Sequence, residues 1–238
     1  MDIQTFITDY HEAFSERAGL PVAFWYSDVP EGALKRTEGC LFKAFPAVRA
    51  GEVVSMNAET IGCGGGKFYT GFAPMGDHIP DFVSRRERYK STPESVLEYI
   101  GELAVQRSSG KYLHFARVDR IDSFDRAEGV LFFATPDVLT GLCSWIFYDN
   151  DSPESVVTLF GSGCSAAVTC AVNENRANGR RTFLGLFDPS VRPYVESDVL
   201  SLSIPMSRLR EMLRTMRSTC LFDTHAWGKV RKRITGEL

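Results

Sequence analysis

Periodicity along the chain divides it into interleaved helices and strands. Ile3, Phe6, Ile7, Tyr10 and Phe14 recur at helical spacing and predict a first helix that Gly19 terminates. Residues 21–26 (PVAFWY) follow as an apolar strand, and residues 28–37 are rich in turn formers. Cys40 opens an apolar run predicted to be helical until Pro46, and residues 53–56 read as a strand. The glycine string at 61–67, IGCGGGK, is predicted as loop, with a helix beginning near Phe68. Thr92 as cap, Pro93 at the first helical position and Glu94 in the first turn start a helix carrying Val96, Leu97, Ile100 and Leu103. Strands are predicted at 112–118 and 130–133. A helix then starts at Thr135-Pro136-Asp137, with Leu139, Leu142 and Ile146 on one face. Residues 156–160 read as a strand with Gly161-Ser162-Gly163-Cys164 as its turn, and residues 165–172 as a helix. Further strands are predicted at 182–187 and 199–204. Leu209, Met212, Leu213 and Met216 form a core-facing helical stripe, and the last helix, near Trp227, is basic.

This interleaving predicts an α/β or α+β fold, a mixed sheet with helices packed on it. A faint echo runs through it. Val53-Val54 leads to Gly62-Cys63 and Val156-Val157 leads to Gly163-Cys164, as two related strand–Gly-Cys–helix units would read. The 238 residues are expected to form a single domain, with a subdivision near 105–125 left open. A net charge of −3 gives no electrostatic reason to expect nucleic acid as a partner. The run Arg85-Arg86-Glu87-Arg88-Tyr89-Lys90 accordingly reads as a solvated stretch. No apolar run approaches the roughly 20 residues that span a bilayer, so no membrane partner is expected. The acidic opening lacks the basic region of a signal peptide, and a cytoplasmic location is expected, where thiols stay reduced.

The chemistry concentrates in cysteine. Six cysteines are too sparse for a disulfide scaffold, but three directly follow a glycine: Gly39-Cys40, Gly62-Cys63 and Gly163-Cys164. At a helix N-terminus the unpaired N–H groups favour a thiolate, and a flanking glycine lets a ligand approach the backbone. Cys40, Cys63 and Cys164, converging as thiolates from distant parts of the chain, would suit a soft metal or an iron–sulfur cluster. No C-x-x-C spacing supports this locally, so the fold has to bring them together. Cys143, Cys170 and Cys220 read as core residues.

Two other chemistries stay open. Cys63 or Cys164 acts as a nucleophile if a base lies within reach. Of the four histidines, His78, downstream of the glycine string, is the first candidate and His225, near Trp227, a second, while His11 reads as solvated and His114 as a strand core residue. The alternative is a non-catalytic binder of a small molecule, an anion or a nucleotide. Residues 161–166 fit G-x-G-x-x-A after a strand, with Asp188 ending the next strand, which makes Ser162, Gly163 and Ser165 ligand contacts. The glycine string is not a P-loop, because Ile61 stands where the first glycine belongs and Phe68 replaces the Ser/Thr. Gly62, Gly64, Gly65 and Gly66, with Lys67, are instead candidates to cradle a phosphate or carboxylate.

Together these landmarks resemble DUF169, a bacterial and archaeal family of unknown function. The resembling stretches are 21–26, Gly39-Cys40 onward, the Cys63 loop, 130–143, 156–164 and the closing strand–Ile204-Pro205–helix, which covers most of the chain. The family's cysteine positions are similar to Cys40, Cys63 and Cys164, and the string Gly64-Gly65-Gly66-Lys67 is richer in glycine than its pattern. The resemblance implies a single-domain architecture and carries no activity.

Overall fold

The apolar runs pair into one eight-stranded sheet in a computed structural model that describes residues 2–159 and 162–237. In chain order the strands are β1 (Val22–Ser27), β2 (Ala33–Leu34), β3 (Val54–Met56), β4 (Tyr112–Arg117), β5 (Gly129–Ala134), β6 (Val156–Thr158), β7 (Thr182–Gly185) and β8 (Leu200–Pro205). The helices are α1 (Ile3–Phe14), α2 (Phe45–Arg49), α3 (Gly64–Tyr69), α4 (Ile79–Asp81), α5 (Pro93–Leu103), α6 (Pro136–Phe147), α7 (Cys170–Arg176), α8 (Met206–Thr215) and α9 (His225–Thr235). Phe160 and Gly161, assigned from sequence to a strand end and its turn, lie outside the described residues.

The sheet order is β2-β3-β4-β1-β5-β8-β7-β6. Exchanging β1 with β5, β2 with β6, β3 with β7 and β4 with β8 maps this order onto its own reverse. Strand sense obeys the same exchange. The outer pairs β2·β3 and β6·β7 are parallel, and every pairing between them is antiparallel. Two strand–Gly-Cys–helix units are therefore present, but the first is not the one the echo suggests. Gly39-Cys40 lies between β2 and β3 and Gly163-Cys164 between β6 and β7, so Cys40 is the counterpart of Cys164. Gly62-Cys63 follows β3 and has no such counterpart.

Both sheet faces are buried, which is why β1 and β5 read as nearly continuous apolar runs rather than alternating ones. On one face Ala23, Val130, Phe132, Leu202 and Ile204 pack under α1, α6, α8 and α9. There Trp227 of α9 fits against Gly141 of α6, where a Cβ would lie 2.3 Å from the indole, and its Nε1 donates to Ala13 O at 2.9 Å. On the other face Val22, Phe24, Val54, Phe115, Leu131 and Phe183 form a second core with α2 and α7.

Two local expectations change. Pro46 does not end its helix. A 3-10 turn at Leu41–Ala44 passes into α2, with Pro46 in the first turn, where no intrahelical N–H is required. The stretch read as solvated and basic begins as helix, with α4 continuing into a π-helical turn at Phe82–Arg86. Cys220 is exposed rather than packed in the core.

His114 shows how side chains lock the first half. It lies opposite Trp25 of β1 and Ser55 of β3 and is inaccessible to solvent. Ser27 Oγ donates to Val29 O at 2.6 Å, so it accepts from His114 Nε2–H at 2.8 Å. Ser55 Oγ accepts from the N–H groups of Glu31 and Gly32 at 3.1 and 2.9 Å, so its own proton goes to Nδ1 at 2.9 Å. The network fixes the neutral Nε2–H tautomer, and burial lowers the pKa below its ordinary 6.5. Above pH 6.5 both folded and unfolded chains carry a neutral imidazole and this contribution to stability is complete. As pH falls through 6.5 the unfolded chain takes up the proton first, so stability declines, by at most about 1.4 kcal/mol per pH unit for one site. Urea unfolding of the wild type should therefore lose more stability from pH 7 to 5.5 than His114→Gln does. An equal loss in the two proteins, or an Nδ1–H tautomer by nitrogen NMR, would contradict the network.

Candidate functional site

The two halves differ most in one connection. Residues 186–199 join β7 to β8, whereas residues 57–111 join β3 to β4 and carry α3, α4 and α5. This long connection is closed at its base, where Ser108 N–H donates to Gly71 O at 3.1 Å. Gly71 has φ +79°, and a Cβ there would sit 2.5 Å from both Gln106 O and Ser108 N, so only glycine fits. Between the connection and the Gly-Cys turns lies a cavity of about 470 Å³.

The glycine string that forms one wall is helix, not loop. Cys63 caps α3, its Sγ accepting from Gly66 N–H at 3.1 Å, in the place a Ser or Asp oxygen usually takes. The far end is tied down from two directions. Thr169 Oγ1 donates to Tyr69 O at 2.5 Å, and Tyr26 Oη donates to Thr70 O at 2.9 Å. The three glycines are not equivalent. A Cβ on Gly66 would lie 2.8 Å from Cys63 Sγ and 2.9 Å from Ile61, whereas Gly64 and Gly65 have nothing within 4 Å of a Cβ. Opposite α3, a π-helical turn at Ser165–Thr169 leads into α7, and Ser203 Oγ donates to its Ala167 O at 2.8 Å.

Most candidates from the sequence meet at this cavity. Cys40, Cys63 and Cys164 line it, as do Gly64, Gly65, Gly66, Lys67, Ser162, Gly163 and His78. Gly62 and Ser165 do not. A Cβ on Gly62 would be 2.1 Å from Thr37 O, so this glycine serves a backbone contact. Ser165 Oγ donates to Ser162 O at 2.7 Å and is buried within its own turn. Asp188 also lines the cavity, but its carboxylate accepts from Gly163 N–H at 3.3 Å and Ser190 N–H at 2.9 Å, which builds the turn rather than a ribose contact. His78 is exposed at the rim, and among the described residues no hydrogen bond joins it to a thiol.

The electrostatics reverse the thiolate expectation. Burial pushes the Cys40 thiol up to about 11, and neighbouring Cys63 and Asp188 charges add to the rise. Cys164 is raised well above its ordinary value by burial, then by Cys40, Cys63 and Asp188. Tyr69 is raised to about 12 by burial and by Cys164, Asp188 and Cys170. Desolvation outweighs any helix-end effect, and at neutral pH Cys40 and Cys164 are neutral S–H groups. A resident metal does not fit this arrangement, because among the described residues no three His, Cys, Asp or Glu side chains form a group that could hold a metal ion.

Tyr99 of α5 is the wall residue that sequence reading missed. Its Oη is buried without a hydrogen-bond partner among the described residues, and burial holds the phenol neutral. The available signal was a tyrosine in the apolar stripe Val96, Ile100, Leu103, where a hydroxyl needs an acceptor.

The family model of DUF169, described as Uncharacterised ArCR, matches residues 18–215 of the 238. The chain belongs to the DUF169 family. No curated protein and no solved structure matches it. The DUF169 match contains all eight strands and every cavity segment, and it leaves out α1 and α9. Among the described residues no helix of this DUF169 chain is long and apolar enough to cross a membrane.

Two outcomes are expected. Gly66→Ala should lower stability by about 1–3 kcal/mol through overpacking, while Gly64→Ala should raise it by up to about 1 kcal/mol, both read by thermal and urea unfolding. A common sign for the two would refute the packing difference. With iodoacetamide at pH 7.5, exposed Cys220 should be modified first and Cys164 last, with Cys40 slowed about 100-fold by its smaller thiolate fraction. Peptide mapping over time checks this order, and Cys164 reacting as fast as Cys220 would contradict it.

Proposed function

We propose that this protein binds a small neutral organic molecule, an aromatic or aliphatic body bearing one hydrogen-bond acceptor, in the cavity beneath α5. The observation that carries the reading is Tyr99 Oη, a buried donor with no hydrogen-bond partner among the described residues, on a residue that lines a largely apolar hollow. Leaving such a group unpaired costs about 1–3 kcal/mol, which a ligand acceptor would recover. The volume suits a small molecule, since ligand pockets run from roughly 300 to 1,000 Å³. Phe42, Phe68, Val83 and Ile100 supply apolar contact. Gly64 and Gly65 keep open a space that nothing in the packing requires, at a cost to the helix they belong to. π-helical turns, common at functional sites, stand at Phe82–Arg86, whose Phe82 and Val83 line the hollow, and at Ser165–Thr169, directly after the lining residue Cys164. The reading is of a binding protein, because burial keeps the Cys40 and Cys164 thiols protonated.

The naphthyl ketone dye prodan, an apolar body with one carbonyl, tests the reading. Reduced protein should bind it saturably at one site with blue-shifted fluorescence. Gly65→Trp should abolish binding by filling the hollow, and Tyr99→Phe should weaken it about fivefold while leaving stability unchanged or higher. Absence of saturable binding, or binding indifferent to Gly65→Trp, would sink the proposal.

A further inference from the structure

We propose that Cys40 and Cys63 are a reversible redox pair at the cavity, a dithiol that a low-molecular-weight disulfide converts to an intramolecular bridge. The effect of that bridge on binding rests on the ligand reading above; the bridge itself does not.

The pairing follows from how two segments travel together. β2 and β3 are parallel neighbours, Ala33 opposite Val54 and Leu34 opposite Ser55. The chains stay side by side past the ladder. Thr37 N–H donates to Thr60 O at 2.9 Å, and Gly62 N–H donates to Thr37 Oγ1 at 3.2 Å. A Cβ on Gly62 would lie 2.6 Å from Gly39 N. Cys40 and Cys63 are the next residues on each chain, each stands at a helix start, and both line the cavity. Adjacent strands run about 4.8 Å apart, within the Cα separations of roughly 4.4–6.8 Å that a disulfide bridges. Electrostatics link Cys63 to Cys40 and both of them to Cys164, so the backbone path is what selects the pair. Cys164 arrives from the opposite half of the sheet, and among the described residues no backbone hydrogen bond joins its turn to either of these segments.

With oxidised glutathione as oxidant the exchange balances. The Cys63 thiolate attacks one glutathione sulfur, forming a mixed disulfide and releasing one glutathione thiolate, which takes up the proton Cys63 lost. The Cys63 charge that opposed ionisation of Cys40 is then gone. The Cys40 thiolate attacks the Cys63 sulfur, forms the protein disulfide and expels the second glutathione, which takes up the Cys40 proton. Two protein thiols are oxidised and one glutathione disulfide is reduced to two thiols. The bridge removes two S–H groups from the wall and ties α3 to the segment before α2.

The full chain is treated with oxidised glutathione, blocked with N-ethylmaleimide in acid and mapped by mass spectrometry. The expected product is a Cys40–Cys63 bridge in the wild type, and in Cys40→Ser a glutathione mixed disulfide retained on Cys63. Prodan affinity should fall at least about tenfold on oxidation and return with dithiothreitol. A Cys63–Cys164 bridge, or glutathione retained on Cys63 in the wild type, overturns the pair. Oxidised protein that binds prodan as well as the reduced form overturns its regulatory effect. Prodan binding without any bridge defeats the redox inference alone, and a bridge in a protein that never binds prodan defeats the ligand reading alone.

Discussion

The fold depends on the antiparallel seam between β1 and β5, where its two halves meet. At that seam Phe24 lies opposite Gly129, and a Cβ on Gly129 would fall 2.7 Å from the Phe24 ring and 3.0 Å from Ile204 O. The missing side chain lets the ring lie across the neighbouring strand. Two backbone bonds continue the lock, from Glu128 N–H to Phe24 O at 2.9 Å and from Met206 N–H to Glu128 O at 3.1 Å. Register here is not negotiable, because a one-residue slip would exchange Phe24 with Ala23 and send each to the wrong core. With both faces buried, such a slip would leave a small residue in one core and an aromatic ring in the other.

Around this seam the halves repeat one another in order and sense, and the candidate site arises where the repetition stops. The repeat by itself supplies two segments in equivalent places between strands, carrying Cys40 and Cys164. The extra length of residues 57–111 adds the third thiol, the glycine floor and the α5 wall with Tyr99. Two glycines make the assembly fit: Gly71 closes the base of the long connection, and Gly62 lets its chain lie against residues 37–39. The cavity is thus enclosed by segments from both halves, the usual position for a small-molecule site between structural units.

The sequence disclosed the architecture well because both sheet faces are apolar, so β1, β4, β5 and β8 stand out as runs and α1, α5 and α6 as stripes. It conceals β2, two exposed residues within a turn-rich stretch, and with β2 hidden the echo points to Gly62-Cys63 instead of Gly39-Cys40. The glycine string was misread for a different reason. Local propensity argues against a helix there, but the Cys63 cap and the bonds from Thr169 and Tyr26 impose one. Glycine–cysteine pairs did mark the segments that meet at the cavity. Nothing local distinguishes Gly62, held by a backbone contact, from Gly64 and Gly65, which face open space.

The thiol protonation states could not be inferred from sequence because two opposing effects share the same residues. A helix N-terminus stabilises a negative charge by roughly 0.3–1 kcal/mol, less than one pKa unit. At Cys40 the helical stretch is short, a 3-10 turn passing into α2, whereas at Cys164 the π-turn continues into α7, so burial prevails there against a longer helical run. Against the helix-end effect stands burial, which sets the direction at both sulfurs, with the neighbouring cysteines and then the Asp188 carboxylate adding to it. A wall of neutral S–H and phenol groups is compatible with an apolar ligand carrying a single acceptor, whereas a cluster of thiolates would need a cation that these side chains are not arranged to hold. Burial therefore keeps the acids of the hollow protonated, and the Asp188 carboxylate, which builds the turn at Gly163 through its hydrogen bond, adds a smaller push in the same direction at Cys40, Cys164 and Tyr69.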